Sequence, residues 1–194
     1  MLSTWITIVG VLLVAYAIGC LNAGYYLVRR HRGIDVRTTG SHGTGATNVG
    51  RTLGRRGFVV TLAIDASKGA AAVGFALAFD LSPTWQWSSA IAAAMGHVWP
   101  AQLGFRGGRG VAVWIGALAV LDPALLLVAT LVTGVAFAAV RVFVCAGLLA
   151  ICSAPFAAWW LGRSAEDVTG TAMLAVLIAI AHRPHLERLL KGTG

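Results

Sequence analysis

Two glycine-rich stretches hold most of the polar chemistry in this chain. The first, GSHGTGATNVGR over residues 40–51, sets Gly40, Gly43, Gly45 and Gly50 among Ser41, Thr44, Thr47, Asn48 and Arg51. Glycine admits positive φ and close backbone approach, and successive amides in such a loop form a concave nest for an anion. Hydroxyl, amide and guanidinium donors alongside suit a phosphate held without a metal. A flexible linker is the plainer alternative, but linkers tend to be rich in Ser, Gly, Glu or Lys without apolar interruptions. The second stretch, GFRGGRG over 104–110, brings Gly107, Gly108, Arg106 and Arg109 up to an apolar segment. Free amides at the start of a helix there would also favour an anion.

Three further groups have the residue types for chemistry. Asp65 and Lys68, in LAIDASKGAAAV, stand at i and i+3 on one helix face inside an apolar run. Charges at that depth are costly and mark function by default, although an ion pair that only neutralises itself is the simpler account. His97 sits mid-span ahead of Pro100, which should kink or end its helix. His182, Arg183 and His185 close the last apolar run, where Pro184 is expected to break the helix and LERLLKG to lie along the membrane surface. There is no G-x-S-x-G, H-x-x-x-x-D or HExxH pattern, and the seven acidic residues are scattered. A metal is therefore not expected, and a reaction here would work by positioning and charge neutralisation.

The elements that must position these groups are membrane helices. Of 194 residues 58% are hydrophobic and 11% charged, with a mean hydropathy of +0.79. Soluble domains have about 25% charged residues. Apolar runs fill residues 3–28, 58–79, 85–103, 111–121, 124–140, 142–161 and 168–181, giving an all-α polytopic membrane protein of seven spans and a single domain over 1–194. The fourth run is short for a bilayer core of about 30 Å. The net charge of +8 points to anionic lipid headgroups and not to nucleic acid. Cys20, Cys145 and Cys152 read as small buried hydrophobes.

Basic residues orient the spans. The segment 29–57 holds Arg29, Arg30, Arg32, Arg37, Arg51, Arg55 and Arg56, so it should be cytoplasmic. The N-terminus then lies outside and the C-terminus inside. Thirteen of the fifteen basic residues fall on cytoplasmic segments, only Arg163 falls outside, and Lys68 lies within a span. Both glycine stretches and the histidine-bearing tail meet on the cytoplasmic face.

These segments, in this order, resemble the bacterial acyl-phosphate:glycerol-3-phosphate acyltransferase family. The family pattern of GSIP-GY, GSGN-GATNV-R, D--KG, GH--P----F-GGKGVAT and H--N--RL--GTE is matched here in turn. The matching segments are GCLNAGY, GSHGTGATNVGR, DASKG, GHVWPAQLGFRGGRGVAV and HRPHLERLLKGTG. The resemblance implies a multi-pass enzyme of the bacterial inner membrane with a cytoplasmic site. It implies acyl phosphate and glycerol 3-phosphate as substrates, lysophosphatidic acid as product, no metal or other cofactor, and a monomer among membrane lipids. It also assigns roles. Ser41, Arg109 and His182 would act at the reacting groups. Gly40, Gly43, Thr47, Asn48, Arg51, Asp65, Lys68, His97, Gly107, Gly108 and His185 would bind substrate. Glycine-loop amides and Arg109 would hold one phosphate, with Arg51 and Lys68 on the other.

The departures are specific. Gly43 and His185 stand where the family has asparagine, Cys20–Asn22 replace SIP, Arg109 replaces the lysine of GGKG, and Gly194 replaces the final glutamate. Losing two amides removes hydrogen bonds that read a polar ligand. A different acceptor or donor, or a non-catalytic lipid- or anion-binding protein, are the readings these departures keep open.

Overall fold

The structure is a computed structural model that describes residues 1–190, with the side chains at 185, 186 and 188–190 excepted. It is all-helical: α1 (Leu2–Cys20), α2 (Ala23–Arg32), α3 (Ala46–Ala78), α4 (Pro83–Val98), α5 (Val111–Leu121), α6 (Pro123–Val140), α7 (Phe143–Trp160) and α8 (Ala165–Leu190). Short 3-10 turns at Val36–Thr38 and Ala101–Leu103 sit in the two glycine-rich connections. Five stretches are long and apolar enough to cross a membrane: Leu2–Arg32, Ala46–Ala78, Pro123–Val140, Phe143–Trp160 and Ala165–Pro184. The expected seven are therefore confirmed only as five. The 16-residue α4 and 11-residue α5 extend only about 24 and 17 Å at the helical rise.

Three boundaries differ from the expectation. The first apolar run breaks at Leu21–Asn22, because side chains take over the carbonyls at the end of α1. Lys68 Nζ donates to Gly19 O at 3.2 Å and to Leu21 O at 2.8 Å, while Asn22 Nδ2 (3.2 Å) and Gln102 Nε2 donate to Cys20 O. Second, α3 begins at Ala46, so Thr47, Asn48 and Arg51 are helical and not part of a loop. Gly54, at φ 72° and ψ −167°, interrupts the helix between that first section and the membrane run. Third, Pro184 does not break α8, which runs through it to Leu190. A proline removes one amide donor, here the partner of Ile180 O, and the helix continues without that single bond. The end of α4 at Val98, before Pro100, is as expected. Cys20 is buried, but Cys152 is exposed on the outer surface of the bundle.

Small residues let the helices meet closely, as they must in lipid, where packing replaces hydrophobic burial. A β-carbon on Gly19 would run into Ala93 O, and one on Gly96 into Tyr16 O, so α1 and α4 touch through backbone. The same holds for Gly69 against Val113 O and Gly116 against Ala66 O, between α3 and α5. Gly116→Val should therefore force those helices apart at a cost of about 1–3 kcal/mol, read as a lower melting temperature in detergent. An unchanged melt would show that the crossing yields. At the opposite end from the arginine-rich segments, Asp122 caps α6 by accepting from Leu125 N at 3.0 Å. It also accepts a two-pronged contact from Arg163, Nε at 2.7 Å and Nη2 at 3.0 Å.

Candidate active site

The first glycine stretch folds around one buried amide. Asn48 is 2% exposed, and its Nδ2 lies 2.8 Å from Val36 O, 3.0 Å from Thr39 O and 2.9 Å from Gly43 O, while its Oδ1 accepts from Ser41 N at 3.0 Å. Asn48 therefore holds the loop, and the expected ligand role moves off its side chain. Gly40 is at φ +52°, and a β-carbon there would strike Asn48 Oδ1. The loop is also anchored to α2, since Thr44 Oγ1 donates to Asn22 Oδ1 at 2.6 Å in a buried pair.

The two glycine stretches are docked on each other. Arg37 grips Asp35 through Nε and Nη2 and reaches across with Nη1 to Leu103 O at 2.7 Å and Arg106 O at 3.1 Å. Its guanidinium carbon lies 5.0 Å from the centre of the Tyr25 ring. The hydrogen bonds from Arg37 hold the Asp35 carboxyl below the usual range, and those to Asp35 hold the guanidinium above its own. Arg109 Nη2 donates to Ser41 O at 2.7 Å, and Thr44 N to Gly107 O at 3.3 Å. Nothing in the sequence marks Arg37, because its distant partners are backbone carbonyls.

Several amides of the two glycine stretches are spent on internal hydrogen bonds. Ser41, His42 and Thr44 donate to Asn48 Oδ1, Thr39 O and Gly107 O, while Gly107 and Gly108 donate to Val98 O and His97 O at 3.0 Å each. Gly107 and Gly108 are glycines for a different reason: a β-carbon at either would collide with His97. They pack the loop onto the end of α4 and do not line the cavity. Among the described residues the amides of Gly43 and Gly45 have no acceptor, and they adjoin the first turns of α3 and α5, where helix amides lack intrahelical acceptors.

Those two helix starts face one cavity of about 210 Å³. Its polar end is made by Ser41, Gly43, Thr47, Arg51, Arg109 and His182, with Gly45–Thr47 opening α3 and Gly110–Ala112 opening α5. Two helix N-termini and two guanidiniums on one space attract a doubly charged phosphate group. Among the described residues no hydrogen bond or ion pair engages the exposed Arg51 guanidinium. His182 Nδ1 lies 2.8 Å from Ile178 O, which makes Nδ1 the donor in that contact and fixes the plane of the ring at the cavity. At Gly43 a β-carbon would meet only Gly107 O, at 3.7 Å, so the backbone does not demand glycine there. The side chain of His185 lies outside the described residues, as does the chain beyond Leu190.

The deeper ionisable residues form a cluster under the polar end. Lys68 Nζ is 2.8 Å from Asp65 Oδ1 and 3.0 Å from His97 Nδ1, and that nitrogen is 3.6 Å from Asp65 Oδ1. Lys68 and Asp65 are 4% and 1% exposed. Neither Asp65 oxygen meets a donor at hydrogen-bonding angles, so charge and not hydrogen bonding joins the pair. Asp65 and His97 line the cavity and Lys68 does not. Lys68 Nζ donates to the carbonyls at the end of α1 and lies against His97, so its contacts lie beneath the cavity and not with the phosphate end expected for it. His97 is at the last turn of α4, not mid-span, and its ring is pressed against Gly108.

The other end of the cavity is apolar. Phe58 and Leu62 of α3 and Ile115 of α5 face Phe143, Gly147 and Leu148 of α7. A bound molecule would have its charged head between the glycine stretches and its hydrocarbon between helices.

The family model described as glycerol-3-phosphate acyltransferase matches residues 9–192. A glycerol-3-phosphate acyltransferase 1 of Desulfitobacterium hafniense is 45% identical over 176 residues, covering 91% of this chain and 87% of that protein. A glycerol-3-phosphate acyltransferase of Gloeobacter violaceus is 38% identical, covering 97% and 94%. Two crystal structures of PlsY (YgiH), an integral membrane glycerol 3-phosphate acyltransferase, share the fold. The glycerol 3-phosphate form superposes with a TM-score of 0.88 at 29% identity, and the lysophosphatidic acid form with 0.86 at 28%. Each covers 96% of this chain and 93% of its own.

Proposed function

The chain belongs to the glycerol-3-phosphate acyltransferase family, and from that premise we propose how its cavity moves a fatty acyl group from acyl phosphate to the 1-hydroxyl of glycerol 3-phosphate. The observation that carries this reading is the two-ended cavity: helix N-termini with Arg51 and Arg109 at one end, hydrocarbon-lined walls at the other.

The donor's phosphate is drawn to the first amides of α3 and α5 and to the arginines, and its chain runs along α7. Glycerol 3-phosphate enters beside Ser41, Thr47 and His182. Its 1-hydroxyl oxygen bonds to the acyl carbon, the bond from that carbon to the phosphate oxygen breaks, and the hydroxyl proton goes to the departing phosphate. His182 lines the polar end of the cavity and helps to orient the acceptor there, while the positive end of a helix stabilises charge on the acyl oxygen. Gly40, Asn48, Gly107, Gly108, Lys68 and His97 position these groups.

The same reading orients the protein in a bacterial inner membrane. α4 and α5 complete seven crossings, with the N-terminus outside and the site on the cytoplasmic face. Trp5 and Trp85, in edge contact at 5.8 Å, and the exposed Trp159 and Trp160 lie at the end away from the arginines, where an aromatic belt belongs.

Purified protein in detergent, given palmitoyl phosphate and glycerol 3-phosphate, should yield lysophosphatidic acid and inorganic phosphate by mass spectrometry. Folded protein that makes neither would overturn the assignment.

A further inference from the structure

α7 contains a single glycine, Gly147. At Gly19, Gly69, Gly96 and Gly116 a β-carbon would run into the backbone of a neighbouring helix, so packing accounts for those residues. Gly147 has no heavy atom within 4 Å of where its β-carbon would be. Gly10, Gly74 and Gly134 are equally open inside helices, but of these four only Gly147 lines the cavity; Gly45, open and lining it too, is the cap before α3 and not inside a helix. Glycine inside a helix weakens it relative to alanine, and no close helix contact offsets that loss here.

The place of Gly147 on α7 gives the missing side chain a use. Phe143, Val144, Gly147 and Leu148 share the cavity face, at the i, i+1, i+4, i+5 spacing of one helical side. The face closes one turn later at Ile151, which is 1% exposed and packed into the core. Opposite, Leu62 and Ile115 form the other wall. Gly147 is thus a notch one turn beyond Phe143, in the apolar end of the cavity and on the way to its floor.

We propose that Gly147 is the specificity-determining position for the acyl chain: its notch admits a long, straight hydrocarbon past the first turn of α7, where a side chain would stop it. The proposal rests on the acyl-transfer reading above. It makes the class of donor a long-chain acyl phosphate and gives one residue control over chain length.

The test compares kcat/KM for palmitoyl phosphate with that for octanoyl phosphate in the wild type, Gly147→Ala and Gly147→Phe. Relative to wild type, the palmitoyl-to-octanoyl ratio should fall about 100-fold in Gly147→Phe, the scale set by excluding methylenes from a pocket. Gly147→Ala should shift it less, in the same direction. A ratio unchanged in both variants overturns the proposal. If Gly147→Phe has no activity with either donor, the ratio in Gly147→Ala decides alone. A wild-type protein that makes lysophosphatidic acid from neither donor would overturn the functional reading itself, which separates the two failures.

Discussion

Lys68→Met is expected to destabilise the fold by about 3–5 kcal/mol, because it leaves the Asp65 carboxylate buried without its partner charge. The loss goes further than the pair. Lys68 also donates to Gly19 O and Leu21 O at the end of α1 and to the His97 ring, so the break between α1 and α2 and the seat of the second glycine stretch loosen together. Transfer activity should be lost mainly in kcat, as expected for a residue that positions others and does not touch substrate. The melting temperature in detergent reports the first effect, and the double variant Asp65→Asn/Lys68→Met isolates its cause. Removing both charges should recover much of the stability while leaving activity low. A single variant that melts like the wild type would show that the buried pair does not hold the structure.

Arg51→Ala is the complementary case, a large loss of rate with an intact fold. Its guanidinium is exposed at the cavity in the first section of α3, and among the described residues no partner engages it. Its removal therefore leaves no buried group stranded. Losing one preorganised donor to developing charge costs about 10²–10³-fold, and kcat/KM should fall by that amount with the melting temperature nearly unchanged. Arg51→Lys should retain part of the activity, since it keeps the charge without the fork. Near-normal kcat/KM in Arg51→Ala would remove this residue from the phosphate site.

Much of the scaffold was legible because its signals are local. Val111–Leu121 was read at its observed bounds, framed by Gly110 before it and Asp122-Pro123 after it. Pro100 ended α4 as proline chemistry requires. The start of α3 was not legible, since glycines and arginines over 46–56 look like a loop until Gly45 and Asn48 organise the turn. Pro184 misled for the converse reason: one missing amide near a polar boundary is cheaper than ending a helix. At the site, the residue types that suggest an anion do line one cavity, where the loop amides of Gly43 and Gly45 stand beside the starts of α3 and α5. Most of the consumed amides find acceptors within eleven residues, and only Thr44 N, on Gly107 O, depends on the other stretch. The sequence shows the depth of Lys68 and its i−3 partner, but not the broken end of α1 beside it, whose carbonyls take its hydrogen bonds. The apolar wall on α7 left no trace, since hydrocarbon lining a cavity and hydrocarbon facing lipid are the same residues.

The contact between Asp122 and Arg163 has a consequence for vertical alignment. α6, α7 and α8 are greasy along most of their length, and lipid gives such helices little reason to prefer one depth over another. A two-pronged ion pair between the head of α6 and the turn after α7 supplies a datum at one rim of the bundle. Sliding α7 by a single turn, about 5.4 Å, would break it and carry Gly147 away from Leu62 and Ile115. A clamp at the rim away from the arginine-rich segments would thereby set the height of the notch against the polar end of the cavity.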